Sequence, residues 1–541
     1  MLKEIRNKMN EVLDELSWEH PDFQVERPRD RAFGHASSNI AMTLAKTLRR
    51  SPRDIAAKLA EKLKDRISGV ETIGVEGPGF INFYYSASYF QAFIPRIRRE
   101  KQRFQCEFGG KGKTVQVEFV SANPTGPLTI GHGRQAVLGD SIARILEWHG
   151  YDVTREYYFN DAGRQMRMLG ASVYVRYRRM SGDDMSIPEG GYEGEYITDI
   201  ARQFHEEYGG DRTDDDLQVF IDFAAKAIFH TITASLRRLN IVHDVYYNEK
   251  DLYRNGKIDA VLKELEAKDH IYRKDGAVWF KAEAFGAEKD RVLVKSSGEP
   301  TYRLPDIAYH REKLLRGFDM IVDVFGSDHH ATYPDVRAAL EALGHDTSRI
   351  CVLLHQFVTL TRAGRKIKMS TRKAEFVTLD ELIDLAGPDV VRYFYIMRSM
   401  GSHLNFDVAL AQKQSDENPV FYLQYAHARM HNILVHSREK GIASYEDADL
   451  SLLKEDEIIA LLEHMIEFKD VMYLCLSSLE PMHLANYLYR LATAFHKCYT
   501  VHRVVTEDVE LSKARLQLID AVKIILANGL QLLGIRAPEK M

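Results

Sequence analysis

A chain of 541 residues is too long for a single hydrophobic core, so several domains are expected. Hydrophobic residues at 45% and charged residues at 28% are ordinary for a soluble globular protein. The near balance of 73 basic and 78 acidic residues, net −5, excludes an indiscriminate nucleic-acid binder but leaves room for a local basic face. Apolar runs such as IVDVF before Gly326 fall far short of the ~20 residues that span a bilayer. The opening MLKEIRNKMNEVLDEL alternates charged and apolar residues at helical spacing, unlike a signal peptide, so no membrane and a cytoplasmic location are expected. Cys106, Cys351, Cys475 and Cys498 form no C-x-x-C pair, which predicts reduced thiols rather than a zinc site or disulfides.

In chain order, the first hundred residues read as a small mixed domain. Ile40, Leu44 and Leu48 recur about one helical turn apart, and Pro52 starts a second helix behind a Ser51 cap. VEGPGFINFYYS has the turn chemistry and aromatic alternation of a strand pair, and the basic stretch from Arg96 to Lys101 reads as an exposed connector or a helix end. From about Lys113 the pattern turns α/β. KTVQVEFVSA predicts a strand, GHGRQAVLGDSIARILEWHG an amphipathic helix ending at Gly150, and TREYYFN a second strand. That is the βαβ unit of a doubly wound nucleotide-binding fold. Residues 165–290 are polar and irregular in pattern, as expected of an insertion; strands resume at DMIVDVFGSDHH and CVLLHQFVTL. After about Met397 only helical periodicity is expected.

Two segments carry chemistry. In VEFVSANPTGPLTIGHGRQA a strand runs through a Pro/Gly loop into a helix that opens at Gly131-His132-Gly133. Small residues there let a ligand approach the backbone, a helix N-terminus favours an anion, and His132 and Arg134 add cationic donors. In GRKIKMSTRKAEFVTLDEL, Lys366, Lys368, Arg372 and Lys373 cluster in a Gly/Ser/Thr loop that could close over a polyphosphate.

Together these segments resemble the HIGH and KMSK motifs of class I aminoacyl-tRNA synthetases. ANPTGPLTIGHGR followed by REYYFNDAGRQM is similar, more narrowly, to the arginyl-tRNA synthetases of bacteria. The likeness continues through VEGPGFINF, TYRLPDIAYHREK, VFGSDHH, SDENPVFYLQYAHARMHNI and the terminal LLGIRAPEKM. Two letters depart from the motifs: Thr129 stands where the first histidine of HIGH is usual, and Thr371 where the second lysine of KMSK is usual. Arg372 or Lys373 could supply the missing charge.

The resemblance implies a multidomain α/β + α architecture. Residues 1–105 would form a small N-terminal α+β domain that binds tRNA, 106–395 a Rossmann-like doubly wound catalytic domain, and 396–541 an all-helical anticodon-binding domain. It implies ATP-dependent activation of L-arginine and transfer to tRNA(Arg), by a monomer, with Mg²⁺ accompanying ATP. Catalysis would fall to His132, Lys368 and Arg372, and ATP binding to Thr129, Gly131, His132, Gly133, Lys368, Met369 and Ser370. Arginine would be held by Glu118, Asn123, His132, Tyr302, Asp306 and His329, because a guanidinium is best met by carboxylates. Tyr302 and Asp306, four apart, share a face if the stretch is helical. Taken singly, Glu118 could instead be a buried strand carboxylate paired to a structural arginine, and Tyr302 could be core. Contacts to tRNA would come from Phe80, Asn82, Tyr422, Gln424, Tyr425, Arg429 and Met541, unless the tyrosines are bundle core. A non-catalytic tRNA-binding relative is the main rival, and the arginine-pocket carboxylates argue against it.

Overall fold

The computed structural model describes residues 1–28, 30–104, 109–161, 163–367 and 377–541, and only the backbone of Asp214. The chain divides into two compact units. One joins Met1–Phe104 to Met430–Glu467 and Thr493–Ile525; the other joins Gln105–Arg429 to Phe468–Ala492 and Leu526–Met541.

In the first unit a four-stranded antiparallel sheet runs in the order Val25–Glu26, Ala36–Ser38, Phe80–Tyr85, Val70–Glu76. The last two are the strand pair expected from VEGPGFINFYYS. Ser51 caps Pro52–Leu63 as its sequence predicts, its hydroxyl accepting the Asp54 N–H at 3.2 Å. The basic stretch ends the helix Phe93–Glu100, but Arg98 is not an exposed residue: it pairs with Glu446 at 2.6 Å and with Asp520 at 2.8 Å.

The second unit is built on five parallel strands: β1 Thr114–Glu118, β2 Asp152–Phe159, β3 Val245–Asn248, β4 Met320–Gly326 and β5 Ile350–His355. Their order across the sheet is β5-β4-β1-β2-β3. The chain leaves β1 to one side for β2 and β3, then returns to its other side for β4. The crevice beyond the carboxyl ends of β1 and β4 is therefore the topological switch point, where doubly wound folds bind ligands. Helix α1, Ile130–Trp148, links β1 to β2 as expected and is buried along most of its length. It approaches the sheet closely at Gly139, where a Cβ would stand 2.2 Å from the Phe119 ring.

Two expectations need correction. Residues 165–290 are ordered: they contain α2, Gly163–Met180 (begun just before), α3, Leu217–Arg238, a further helix Glu195–Tyr208, and β3 itself. Phe204 stacks on Phe220 at 4.0 Å and meets Tyr177 edge-on at 5.4 Å, which gives these helices a core of their own. A three-stranded antiparallel sheet from Ile271–Lys274, Ala277–Phe280 and Arg291–Val294 follows, leading to α4, Arg303–Leu315. By length and mean hydropathy of 1.4, α3 could cross a membrane, but half of that stretch is buried within the protein. Second, strand structure does not end at Met397, because Leu404–Asp407 pairs in parallel with Val358–Arg362. Four long helices, Pro419–Glu439, Asp456–Ser478, Met482–Val501 and Val509–Leu532, then complete the chain. Cys475 and Cys498 are buried, Cys351 is half-buried, and all three are free thiols; Cys106 lies outside the described residues.

Replacing Gly139 by alanine should destabilise the second unit by about 1–3 kcal/mol through overpacking against Phe119, despite alanine's better helix propensity. Urea unfolding followed by circular dichroism reads this as an earlier midpoint.

Candidate active site

Helix α4 lays a polar face on the sheet. Tyr309, Lys313 and Arg316, spaced at helical intervals, reach β2, β1 and β4. Tyr309 donates its hydroxyl to Glu156 of β2 at 2.6 Å, and Arg316 forks onto the same carboxylate. Lys313 has no solvent exposure; its ammonium lies between Glu118 of β1 and Asp323 of β4, the latter at 2.6 Å. Burial alone would lower the lysine pKa and raise that of Asp323. The opposite charges outweigh it, so Lys313 shifts up and Asp323 down and both stay ionised.

Immediately after Glu118 the backbone is strained. Val120 and Ser121 hold φ of 71° and 39°, a region that a β-branched residue rarely enters. The turn aims Ser121 back at the strand end: its hydroxyl donates to Glu118 at 2.7 Å and accepts the Tyr158 N–H at 3.1 Å. Glu118 is thus the buried strand carboxylate that its position allows, paired to a lysine rather than an arginine.

Above this floor lies a cavity of about 710 Å³, whose walls include Glu118, Asn123, Thr129, Gly131, His132, Tyr302, Asp306 and His329. All the residues expected at the arginine end therefore meet in one place. Tyr302 immediately precedes α4, and the Asp306 N–H reaches the Tyr302 carbonyl, so the helical spacing expected of the pair is present. Tyr302 is 79% exposed, which removes the core reading. Asn123 donates to Gln165 at 2.8 Å, and His329 stacks on Phe325 at 4.8 Å.

Thr129 caps α1. Its hydroxyl accepts the His132 N–H at 3.4 Å, while the His132 Nδ1 accepts the Thr129 N–H at 3.2 Å. The departure from HIGH is therefore a helix cap. Because Nδ1 accepts and burial lowers its pKa, His132 is a neutral imidazole with its proton on Nε2, not the cationic donor expected. Gly131 lines the cavity, but Gly133 faces inward, where a Cβ would stand 2.5 Å from Leu379. Arg134 also turns away from the nucleotide end. It is fully buried and donates to the carbonyls of Gln356, Ser399 and Ser402 at 2.7–2.9 Å.

Lys368, Met369, Ser370, Thr371, Arg372 and Lys373 lie outside the described residues. The chain on either side is fixed: Lys366 pairs with Thr361, and Thr378 bridges Thr129 while the Leu379 N–H donates to the Leu128 carbonyl at 2.7 Å.

Sequence reasoning missed Glu249, one residue past β3 and on the cavity wall. Burial pushes its pKa up to about 7, with Asp306 and Asp161 adding to the rise against a 2.9 Å hydrogen bond from Tyr158. Burial likewise raises Asp306 to about 6, helped by Glu118 and opposed by His310 and His329. Among the described residues the Asp306 carboxylate has no hydrogen-bond or ion-pair partner. Asp306 and Glu249 thus share one cavity whose burial disfavours the charge of both. The available signal was the end of a parallel strand, hidden because VYYN is short and bordered by polar loops.

Of the residues expected at RNA, Asn82 is 1% exposed and accepts the Ser37 hydroxyl at 2.7 Å, so it does not face solvent, whereas Phe80 is 36% exposed. Tyr425 and Met541 are exposed, Tyr422 and Arg429 are half-buried, and the Tyr422 ring lies 5.3 Å from that of Tyr489. Gln424 donates to Asp389 and to the Arg536 carbonyl, both at 3.0 Å.

A parallel switch-point cavity lined by a capped helix N-terminus and by acids with no cationic partner among the described residues is the arrangement of a class I nucleotide-activating domain. Residues 94–392 match the model described as tRNA synthetases class I (R), catalytic domain; 3–85 match the arginyl tRNA synthetase N terminal domain, and 423–541 the DALR anticodon binding domain. The chain is 49% identical to the arginine–tRNA ligase of Desulfotalea psychrophila over 99% of this chain and 100% of that protein. It is 47% identical to that of Salinibacter ruber over 99% of each. The solved Thermus thermophilus arginyl-tRNA synthetase superposes with a TM-score of 0.78 at 24% identity, covering 100% of both chains. The chain belongs to the arginyl-tRNA synthetase family.

Lys313→Met should destabilise the catalytic unit by about 3–5 kcal/mol, because Glu118 and Asp323 would remain buried without their cation. Denaturant unfolding of the variant measures it; an unchanged midpoint would mean that the carboxylates are solvated.

Proposed function

We propose that this cavity joins L-arginine to ATP and delivers the arginyl group to tRNA(Arg). The observation that carries the reading is the pair Asp306 and Glu249, one without a partner among the described residues and both raised in pKa at the cavity wall. A guanidinium set between them would restore their ionisation and gain charge-assisted hydrogen bonds. Tyr302 would flank it, and Asn123 with Gln165 would hold the α-amino and carboxyl end. His329, on the stacked ring of Phe325, would bound the same space.

ATP would lie toward α1, with the Nε2–H of His132 and the Gly131 backbone on its phosphates. One oxygen of the arginine carboxylate forms a bond to the α-phosphorus, and the bond to pyrophosphate breaks with its electron pair leaving on pyrophosphate. A hydroxyl of the terminal tRNA ribose then attacks the adenylate carbonyl, AMP departs, and the hydroxyl proton is released. The protein needs no nucleophile for either step; it aligns reactants and balances charge. Lys368 and Arg372, carried over from the motif resemblance, would meet the leaving pyrophosphate. Among the described residues no group of three acidic, histidine or cysteine side chains could hold a metal, and Mg²⁺ enters on the oxygens of ATP, as part of that substrate.

Residues 1–105 and 396–541 would contact the tRNA, with Phe80 in the first and Tyr422, Gln424, Tyr425, Arg429 and Met541 in the last, and residues 106–395 would carry the catalysis. The exposed rings of Phe80 and Tyr425 suit stacking on unpaired bases. The enzyme would act as a cytoplasmic monomer.

Charging of total bacterial tRNA with radiolabelled arginine, with lysine and citrulline in parallel, tests the reading. Arginine alone should be charged; charging of citrulline would show that the acids do not select a cation. Asp306→Asn should raise the arginine KM at least tenfold, by the loss of one charge-assisted contact, with the ATP KM unchanged.

A further inference from the structure

Arg134 follows Gly131, His132 and Gly133 at the opening of α1, yet its countercharge comes from the far end of the chain. Among the described residues no carboxylate lies within ion-pair distance of its guanidinium, which donates only to the carbonyls of Gln356, Ser399 and Ser402. Burial pulls its pKa down to about 10, against the influence of Glu480 and of Tyr395. Glu480 lies in the turn between the long helices Asp456–Ser478 and Met482–Val501. It accepts the Ser399 hydroxyl at 2.7 Å, and both its oxygens lie 3.3 Å from the Met400 nitrogen. The bend of residues 397–403 is therefore gripped from two sides, by a guanidinium on its carbonyls and by a carboxylate on its donors. Leu479, just before Glu480, holds φ of 52°, a left-handed conformation that leucine rarely adopts.

The same bend supports the end of the cavity assigned to ATP. The Gln356 N–H donates to the Met400 carbonyl at 3.0 Å and the Leu404 N–H to the Phe357 carbonyl at 3.1 Å, and His355 and Phe357 line the cavity. Just before the bend, the Tyr395 hydroxyl donates to the Ile130 carbonyl at 2.8 Å, in the turn that presents Gly131 and His132. The arginine end has separate supports, Lys313 and the polar face of α4. A guanidinium buried among carbonyls keeps its place only while negative charge is near. Removing the Glu480 charge therefore loosens Arg134, and removing its oxygens strands two donors of the bend. We propose that Glu480 is a positioning residue for adenylate formation: through residues 397–403 and Arg134 it sets the opening of α1 and the end of β5 in the geometry that receives ATP. This rests on the reading that ATP lies toward α1, and it gives the turn between two C-terminal helices a part in the first half of the reaction.

The test compares charging of tRNA(Arg) by the full-length wild type, Glu480→Ala and Glu480→Gln, with each rate normalised to folded enzyme. Glu480→Ala should raise the ATP KM about tenfold or more, with the arginine KM and the affinity for tRNA unchanged. Glu480→Gln keeps an acceptor for the Ser399 hydroxyl but not the charge, so its ATP KM should fall between those of wild type and Glu480→Ala. If Glu480→Ala does not fold, the glutamine variant carries the comparison. Because Glu480 acts through Arg134, adding Glu480→Ala to Arg134→Lys should change the ATP KM by less than about twofold, and fully additive effects would overturn the assignment. Equal rises in the arginine and ATP KM would also overturn it, making Glu480 a general scaffold residue. So would weaker tRNA binding at an unchanged ATP KM, or lost thermal stability with unchanged kinetics. A wild-type protein that charges no tRNA with arginine would defeat the reading beneath; normal wild-type charging with an unmoved ATP KM in Glu480→Ala would defeat this inference alone.

Discussion

The site depends on one buried ammonium. Lys313 stands under the cavity floor, out of contact with solvent, held by carboxylates from two neighbouring strands and lying 4.5 Å from the Tyr309 ring centroid. An isolated ion there would cost several kcal/mol, so the three charges persist only as a set. Their arrangement fixes α4 against β1 and β4. Tyr309 and Arg316 on the same helical face fix it against β2 through Glu156. Because α4 begins at Arg303, directly after Tyr302, with Asp306 in its first turn, anchoring its far end to the sheet also sets the height and angle at which those residues meet the cavity.

The same ion set explains how charge is distributed. Glu118 is already matched by Lys313 and by the Ser121 hydroxyl, which the strained turn at Val120 and Ser121 presents. Among the described residues Asp306 has no side-chain partner and Glu249 has only the Tyr158 hydroxyl, and burial raises both. The cavity therefore separates a floor compensated by Lys313 from a wall whose acids have no cationic partner among the described residues, and the proposed function places the guanidinium at that wall. At the opposite end the chemistry is neutral: a capped helix, a glycine and an imidazole whose proton sits on Nε2. The flanks of the segment that carries the proposed pyrophosphate-binding cations are tied to strand Val358–Arg362 and to Thr129.

Much of this was legible in the chain. The βαβ unit announced itself because strand and helix periods change sharply at a Pro/Gly loop, and Ser51-Pro52 marked a helix start by two independent steric rules. The spacing of Tyr302 and Asp306 gave their shared face. What stayed hidden depended on partners far away in sequence. Nothing near Arg134 says that three carbonyls after residue 355 will take its guanidinium, and nothing near Asn82 says that Ser37 will cover it. Nothing near Tyr309, Lys313 and Arg316 says that carboxylates of three strands will receive them, and α4 packs this polar face on the sheet because its charges find opposite charges there. β3 and Leu404–Asp407 have four residues each, too few to establish a period of two against their polar surroundings. Glu249 followed β3 into obscurity.

The central claim is that ionised Asp306 and Glu249 receive the guanidinium. The measurement that meets it most directly is calorimetric binding of arginine at pH 6.5, in two buffers of different ionisation enthalpy. At that pH the two acids, titrating near 6 and 7, carry between them about one proton. A bound cation favours the ionised forms, so binding should release about one proton per arginine, strengthen as pH rises past 7 and weaken as it falls below 6. Identical enthalpies in both buffers, with an affinity flat from pH 6 to 8, would mean that arginine is held elsewhere.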